Sequence, residues 1–428
     1  MKGYLFIFFL AMNSISILSQ TENQLIKENA PTVFINCWYC DMNFIKEQIP
    51  VINYVNDRKD SEIEILFTSR KTGAGGNEYT LYFYGNKTFE GVEDTIVFYT
   101  TPSESQDILR IKTVNAIKLG LVRYLAKTQL ADKIIISFKT QQENKVIQED
   151  DWDYWVFSTS INGNFNGQER NNYYYFNGSV TASRTTEELK LKFRFYNSYN
   201  ESQFKFDSPN GEIKYTSISR SQNFNAYLYF AIDNNWSWGV EAEASKSTFL
   251  NIDYSFNISP AIEFNVFPYS ESNKKQLRIS YRASPTFNKY LSETIFFKTK
   301  EFLISQELDL DFTLIEPWGT TDISLSGANY FQDIRKYELE VYTSLSWQLF
   351  KGFSFSIYGG YSKIRNQIYL PRAGASYEEV LLQRKQLETG YSYWGGFGIS
   401  FTFGSIYNNI VNPRFGAGGG GTTIIISN

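Results

Sequence analysis

The chain has 428 residues, 41 Lys and Arg against 45 Asp and Glu, and no histidine. A net charge of −4 gives no electrostatic case for nucleic acid. The missing imidazole removes Ser–His–Asp and Cys–His catalysis, the His-dependent hydrolases found among membrane barrels, and His-ligated zinc or haem.

Mean hydropathy is −0.34, and past the amino terminus no run of about 18 apolar residues marks a membrane helix. Residues 1–19 read as a secretory signal, with Lys2 as the positive end, Tyr4 to Ala11 as a short apolar core and a cut at Ser19–Gln20. The mature chain is then expected to meet an oxidising compartment.

From 20 to 140 the pattern mixes both periods and predicts a small α+β domain. Thr32–Asn36 reads as a strand and Asp41–Val55 as a helix, which Pro50 ends or kinks near Ile49. Glu62–Ser69, Glu78–Tyr84 and Thr95–Thr100 read as strands. Ser103-Glu-Ser-Gln106 has the form of a capping box before a helix reaching about Lys127, and Lys133–Lys139 reads as a last strand.

Cys37-Trp-Tyr-Cys40 falls between strand and helix, where it suits either thiol–disulfide exchange or a small structural disulfide. Two cysteines without histidine are too few soft ligands for zinc. The Gly73–Gly76 run lacks the following Gly-Lys-Ser/Thr of a phosphate loop and reads as a turn.

Residues 141–151 are acidic and aperiodic, a linker. From 152 to 403 the chain alternates apolar and polar residues almost without interruption. Phe302, Ile304, Leu308, Leu310, Phe312 and Leu314, for example, interleave with Ser305, Glu307, Asp309, Asp311 and Thr313. Alternate side chains share a face, so each segment has one oily and one wet wall.

Twelve such segments are predicted, at 153–166, 173–184, 188–206, 212–232, 236–248, 251–267, 275–286, 296–315, 320–330, 336–350, 353–366 and 387–403. An even count, short turns alternating with longer loops, and aromatics reaching 18% of the chain point to an antiparallel transmembrane β-barrel with its oily wall in lipid. A soluble sandwich or propeller is the alternative. Trp236, Trp238, Trp318, Trp347 and Phe403 would form one aromatic belt, and Tyr173, Tyr174, Tyr330, Tyr361 and Tyr391 the other. Residues 404–428, glycine-rich at Gly416–Gly421, read as a flexible periplasmic tail.

The candidate site is the wet wall. Lys190, Lys192 and Arg194, Glu241 and Glu243, Arg278 and Arg282, Glu307, Asp309 and Asp311, and Glu338 and Glu340 are expected to face the lumen. Arg278 and Arg282 are placed to pair with the neighbouring acids. Such charges either fill and rigidify the interior or line a conduit for a polar solute.

The domain at 20–140 resembles, in element order, the TolB-type amino-terminal domain shared with the CsgG-like fold. The likeness rests on Glu62–Ser69, the Gly73–Gly76 turn, Glu78–Tyr84 and the helix ending at Leu125. The whole chain resembles Gram-negative outer-membrane β-barrel proteins that carry such a domain before the barrel.

The resemblance implies a periplasmic domain that contacts envelope partners, and it brings no catalytic residues or cofactor. The resulting expectation is a non-enzymatic, porin-like outer-membrane protein with its amino-terminal domain in the periplasm. It would pass small polar solutes or anchor a periplasmic partner, with outer-membrane lipid as its surroundings.

Overall fold

A computed structural model describes residues 27, 29–135, 150–208, 211–372 and 388–411. The signal segment, most of the linker and the end of the tail lie outside these residues, as does most of the Lys133–Lys139 strand.

The first unit begins with β1 (Thr32–Asn36), α1 (Met42–Gln48), β2 (Asn53–Tyr54) and β3 (Ile63–Lys71). It continues with β4 (Asn77–Gly85), β5 (Glu93–Thr100) and α2 (Gln106–Leu125). Its sheet has the order β2-β1-β3-β4-β5, parallel around β1 and antiparallel beyond β3.

Asp41 caps α1 by accepting from Phe44 N, and the helix stops before Pro50. The chain then turns into β2, where a helical continuation to Val55 was expected; proline cannot donate to the helix ladder. Ser105, not Ser103, caps α2, accepting from Ile108 N.

Val33, Ile45, Ile52, Ile63, Ile65, Leu81, Phe83, Ile117, Leu121 and Tyr124 form the core between the two helices and one sheet face. Gly120 lets α2 approach β4: a Cβ there would lie 2.1 Å from Phe83 Cζ.

The second unit is a 12-stranded antiparallel sheet, each strand hydrogen-bonded to its sequence neighbours. Its first six strands are β6 (Trp155–Gly167), β7 (Asn171–Thr185), β8 (Leu189–Ser208), β9 (Gly211–Ala231), β10 (Trp236–Ser247) and β11 (Ile252–Asn265). The rest are β12 (Lys275–Tyr290), β13 (Lys300–Glu316), β14 (Gly319–Tyr330), β15 (Asp333–Phe350), β16 (Phe353–Ile364) and β17 (Tyr391–Phe401). Among the described residues β6 and β17 do not pair, so the sheet has two edges and the expected closed barrel is not formed.

The sheet is nevertheless curled. Its turn ends meet the first unit at points from the β7–β8 turn, where Gly73 packs on Thr185, to residues 405–409 beyond β17. Ten strand spacings of a flat sheet would part those points by roughly 48 Å. A compact domain of about 110 residues has a radius of gyration of only about 13 Å.

The register places most of the polar alternates on one face. Ser217, Ser247, Ser255, Ser259 and Asn288 on it are buried. The opposite face exposes large apolar side chains such as Ile161, Phe195, Phe256, Ile258, Leu308, Leu339, Phe397 and Ile399. The polar face is therefore the sheltered, concave one. Tyr174, Tyr361 and Tyr391 lie on the apolar face, whereas Tyr173 and Tyr330, expected in the same belt, fall on the polar face beside Asn166 and Ser305.

Candidate functional site

The pairing registers put all twelve singled-out charges on the concave face. Lys190, Lys192 and Arg194 on β8 oppose Tyr229, Tyr227 and Asn225 on β9. Tyr227 and Asn225 in turn oppose Glu241 and Glu243 on β10. Arg278 and Arg282 on β12 oppose Asp311 and Glu307 on β13, with Asp309 between them. Glu338 and Glu340 lie on β15 opposite Ala328 and Ser326.

The centre of this face is a dense ionic cluster. Arg282 donates to Glu307 from Nη2 at 2.9 Å and Nε at 3.0 Å, to Asp309 at 2.9 Å and to Glu241 at 3.4 Å. Its bond to Glu241 reaches over β11 to β10. Arg278 donates to Asp311 at 2.7 Å and lies 3.8 Å from Glu263.

Tyr229 donates to Glu241 at 2.6 Å and Ser280 to Asp309 at 3.2 Å. Five carboxylates thus share two guanidinium groups, and the hydroxyls of Tyr229 and Ser280 take up some of the remaining lone pairs. Glu338 and Glu340 lie outside the cluster, accepting from Asn366 Nδ2 at 2.7 Å and Ser362 Oγ at 3.2 Å. Tyr229 and Arg70 belong to the site although sequence reading did not single them out. Glu263, which the alternation of its strand already assigns to the wet face, joins them in the cluster; Arg70 comes from the other domain.

A cavity of about 910 Å³ lies over the cluster, lined by Arg70, Glu241, Arg278, Arg282, Asp309 and Asp311 among others. Arg70 projects from β3 and is held by Glu78 at 2.8 and 3.0 Å. It shares a face with Glu64, Leu66 and Thr68, all buried yet turned away from the helix-side core.

That face lies across the turn end of the large sheet. Asn273 Nδ2 donates to Tyr82 Oη at 2.7 Å, and Lys274 Nζ to Tyr84 Oη at 2.9 Å. Asp57 accepts from Gln348 Nε2 at 2.9 Å and from Gly352 N, and Lys351 bonds Asp60 at 2.6 Å. Residues 405–409, expected to begin a flexible tail, pair with β2 instead. Val55 bridges Tyr407, Asn56 N donates to Ile406 O at 3.0 Å, and Asn408 N to Tyr54 O at 2.8 Å.

Glu64 sits within this docked face. Burial pushes its carboxyl up to about 7; Arg58 opposes the shift and Asp57 adds to it. Its Oε1 has no hydrogen-bond partner among the described residues.

A strap covers the other end. After β16 the chain crosses to distant loops: Ile295 N donates to Leu370 O at 2.8 Å, Asn251 Nδ2 to Tyr369 O at 3.0 Å, and Thr294 bridges Pro371. Ile368 and Leu370 are buried there. The long connection at Gln367–Gln386 therefore begins by crossing to the loops at Asn251 and Glu293–Ile295; residues 373–386 lie outside the described set.

Cys37 and Cys40 form a disulfide beside Tyr39, which packs on Phe67 and Tyr79. No protein-family model and no curated protein matches the chain. The comparisons lend no support to the TolB-type likeness.

Proposed function

We propose that the chain is a non-enzymatic outer-membrane β-barrel protein. In this reading β6 and β17 pair to close the sheet and the apolar face lies against acyl chains. The interior is a polar passage for small solutes, held shut at rest by the periplasmic domain and the strap.

The observation that carries the reading is the segregation of faces over the whole register. Water would not tolerate a sheet presenting Phe157, Ile161, Phe165, Phe397, Ile399 and Phe401 at 57 to 83% exposure. Lipid would. The two edges match for closure, since Ser158, Ser160 and Asn162 of β6 and Ser392 and Ser400 of β17 all fall on the polar face.

Closure predicts disulfide formation between single cysteines placed along Ser158–Asn162 and Gly396–Ser400. If none of these pairs forms and the chain stays in the aqueous phase without detergent, the barrel reading falls. The passage predicts low conductance for the native chain in planar bilayers. Replacing Asp57 and Asp60 by Ala, which removes the contacts to Gln348, Gly352 and Lys351, should raise it.

A second reading follows from the covered mouths: a closed barrel that anchors the periplasmic domain for an envelope partner. Ile108, Ile111 and Leu119 are exposed on α2 and would face that partner. Silence of the undocked variant, together with a specific crosslink from α2, would favour the anchor over the passage.

A further inference from the structure

On the apolar face, the rim near the loops carries a contiguous row of cations. Arg220 on β9 stands two residues from Gln222, which opposes Lys246 on β10. Lys289 on β12 opposes Tyr254 on β11 and, on its other side, Lys300 on β13. Register shifts at Ser245/Ser247 and Ile252/Tyr254 turn Asp253 out of the polar face and into this row. It bonds Lys246 at 3.1 Å and Lys289 at 3.0 Å.

Four cations over five neighbouring strands thus meet one carboxylate at bonding distance. Glu201, two residues from Tyr199, is engaged by Tyr199 and Gln203. Lys289 directly opposite Lys300 is a like-charge cross-strand pair, unfavourable unless an anion lies between.

The opposite rim is balanced: Arg184 has Asp153 at 2.8 Å and Lys275 has Glu271 at 2.7 Å. Beneath the cationic row Phe224, Phe256, Phe287 and Phe302 alternate into the same face. Tyr254 supports Lys289 at 5.1 Å and Tyr199 lies under Arg220 at 5.6 Å.

Resting on the barrel reading above, we infer that Arg220, Lys246, Lys289 and Lys300 bind the phosphate of an anionic lipid headgroup whose acyl chains lie on the phenylalanine row below. A basic site directly above an apolar girdle matches an amphiphile with charge at one end and hydrocarbon at the other. The bulge at Asp253 bridges and spaces two of the lysines and limits the charge left to the lipid.

The test titrates short-chain phosphatidic acid into the protein in uncharged detergent, read by calorimetry. Short-chain phosphatidylcholine and inorganic phosphate are the parallel ligands. The Lys246→Gln/Lys289→Gln/Lys300→Gln variant should bind phosphatidic acid about a hundredfold more weakly, at about fivefold per lysine near a charged surface. Asp253→Asn should bind it more tightly, a gain that misfolding cannot imitate.

Equal binding of phosphatidylcholine, competition by inorganic phosphate at matched concentration, or unchanged affinity in the triple variant would overturn the inference. Flotation with vesicles of pure phosphatidylcholine checks the barrel separately. A chain that does not float removes both readings, whereas floating with no preference for phosphate removes only this one.

Discussion

Glu64→Gln probes the joint between the two units. Glu64 is 3% exposed, and its pKa rises from 4.5 to about 7, chiefly by burial. The native chain therefore holds this proton more tightly than the unfolded chain does. Stability from Glu64 is whole below pH 4.5 and is lost as pH climbs through about 7. A shift of about 2.5 units corresponds to up to about 3 kcal/mol by pH 8.

The substituted amide carries no ionisation cost, so the variant should match the native chain near pH 4 and exceed it by up to about 3 kcal/mol at pH 8. Hydrogen exchange of the Ile63–Lys71 strand, compared between the two proteins at each pH, measures the difference. A gain of equal size at both pH values, or a loss at pH 8, would refute the assignment of the cost to a buried ionised carboxylate.

Gly120→Ala drives a methyl into the fully buried Phe83 ring. Overpacking of about 1–3 kcal/mol outweighs the helix-propensity gain of about 1 kcal/mol, so denaturant unfolding of the first unit should show a net loss. Arg282→Met leaves Glu241, Glu307 and Asp309 without their shared cation. It should cost about 2 kcal/mol, less than the roughly 3–5 kcal/mol of a fully buried pair, seen as a lower temperature for the mobility shift of unboiled samples. Reducing Cys37–Cys40 frees a short loop and should cost about 2 kcal/mol in thermal melts of the first unit, leaving the large sheet unchanged.

The twelve strands were legible because period-two alternation persists for 11 to 21 residues per strand, long enough to fix both existence and face. The Arg282 pairing with the acids of β13 was legible for the same reason. Strand ends and short elements were not. β2 has two residues, too few for any period, and exists because β1 and residues 405–409 hold it on either side.

The connection between β11 and β12 is long for a turn at this end of the sheet. Asn273 and Lys274 give it a purpose, since they reach Tyr82 and Tyr84. Contacts between units leave no periodic trace in either partner, and so the covered sheet ends and Arg70 were invisible beforehand. Tyr173 and Tyr330 were misplaced because rim position was read without strand parity.

The bond from Tyr54 N to Asn409 Oδ1 joins residues 355 apart. The first unit can assemble its helices and most of its sheet as soon as it is synthesised, but the free flank of β2 waits for residues that are made after every long strand. Joining residues 54 and 409 makes this pairing a non-local, late step that follows the strands between them. A halted or truncated polypeptide would keep β2 uncapped, and the exposed strand flank would identify it as unfinished to any factor that binds bare backbone.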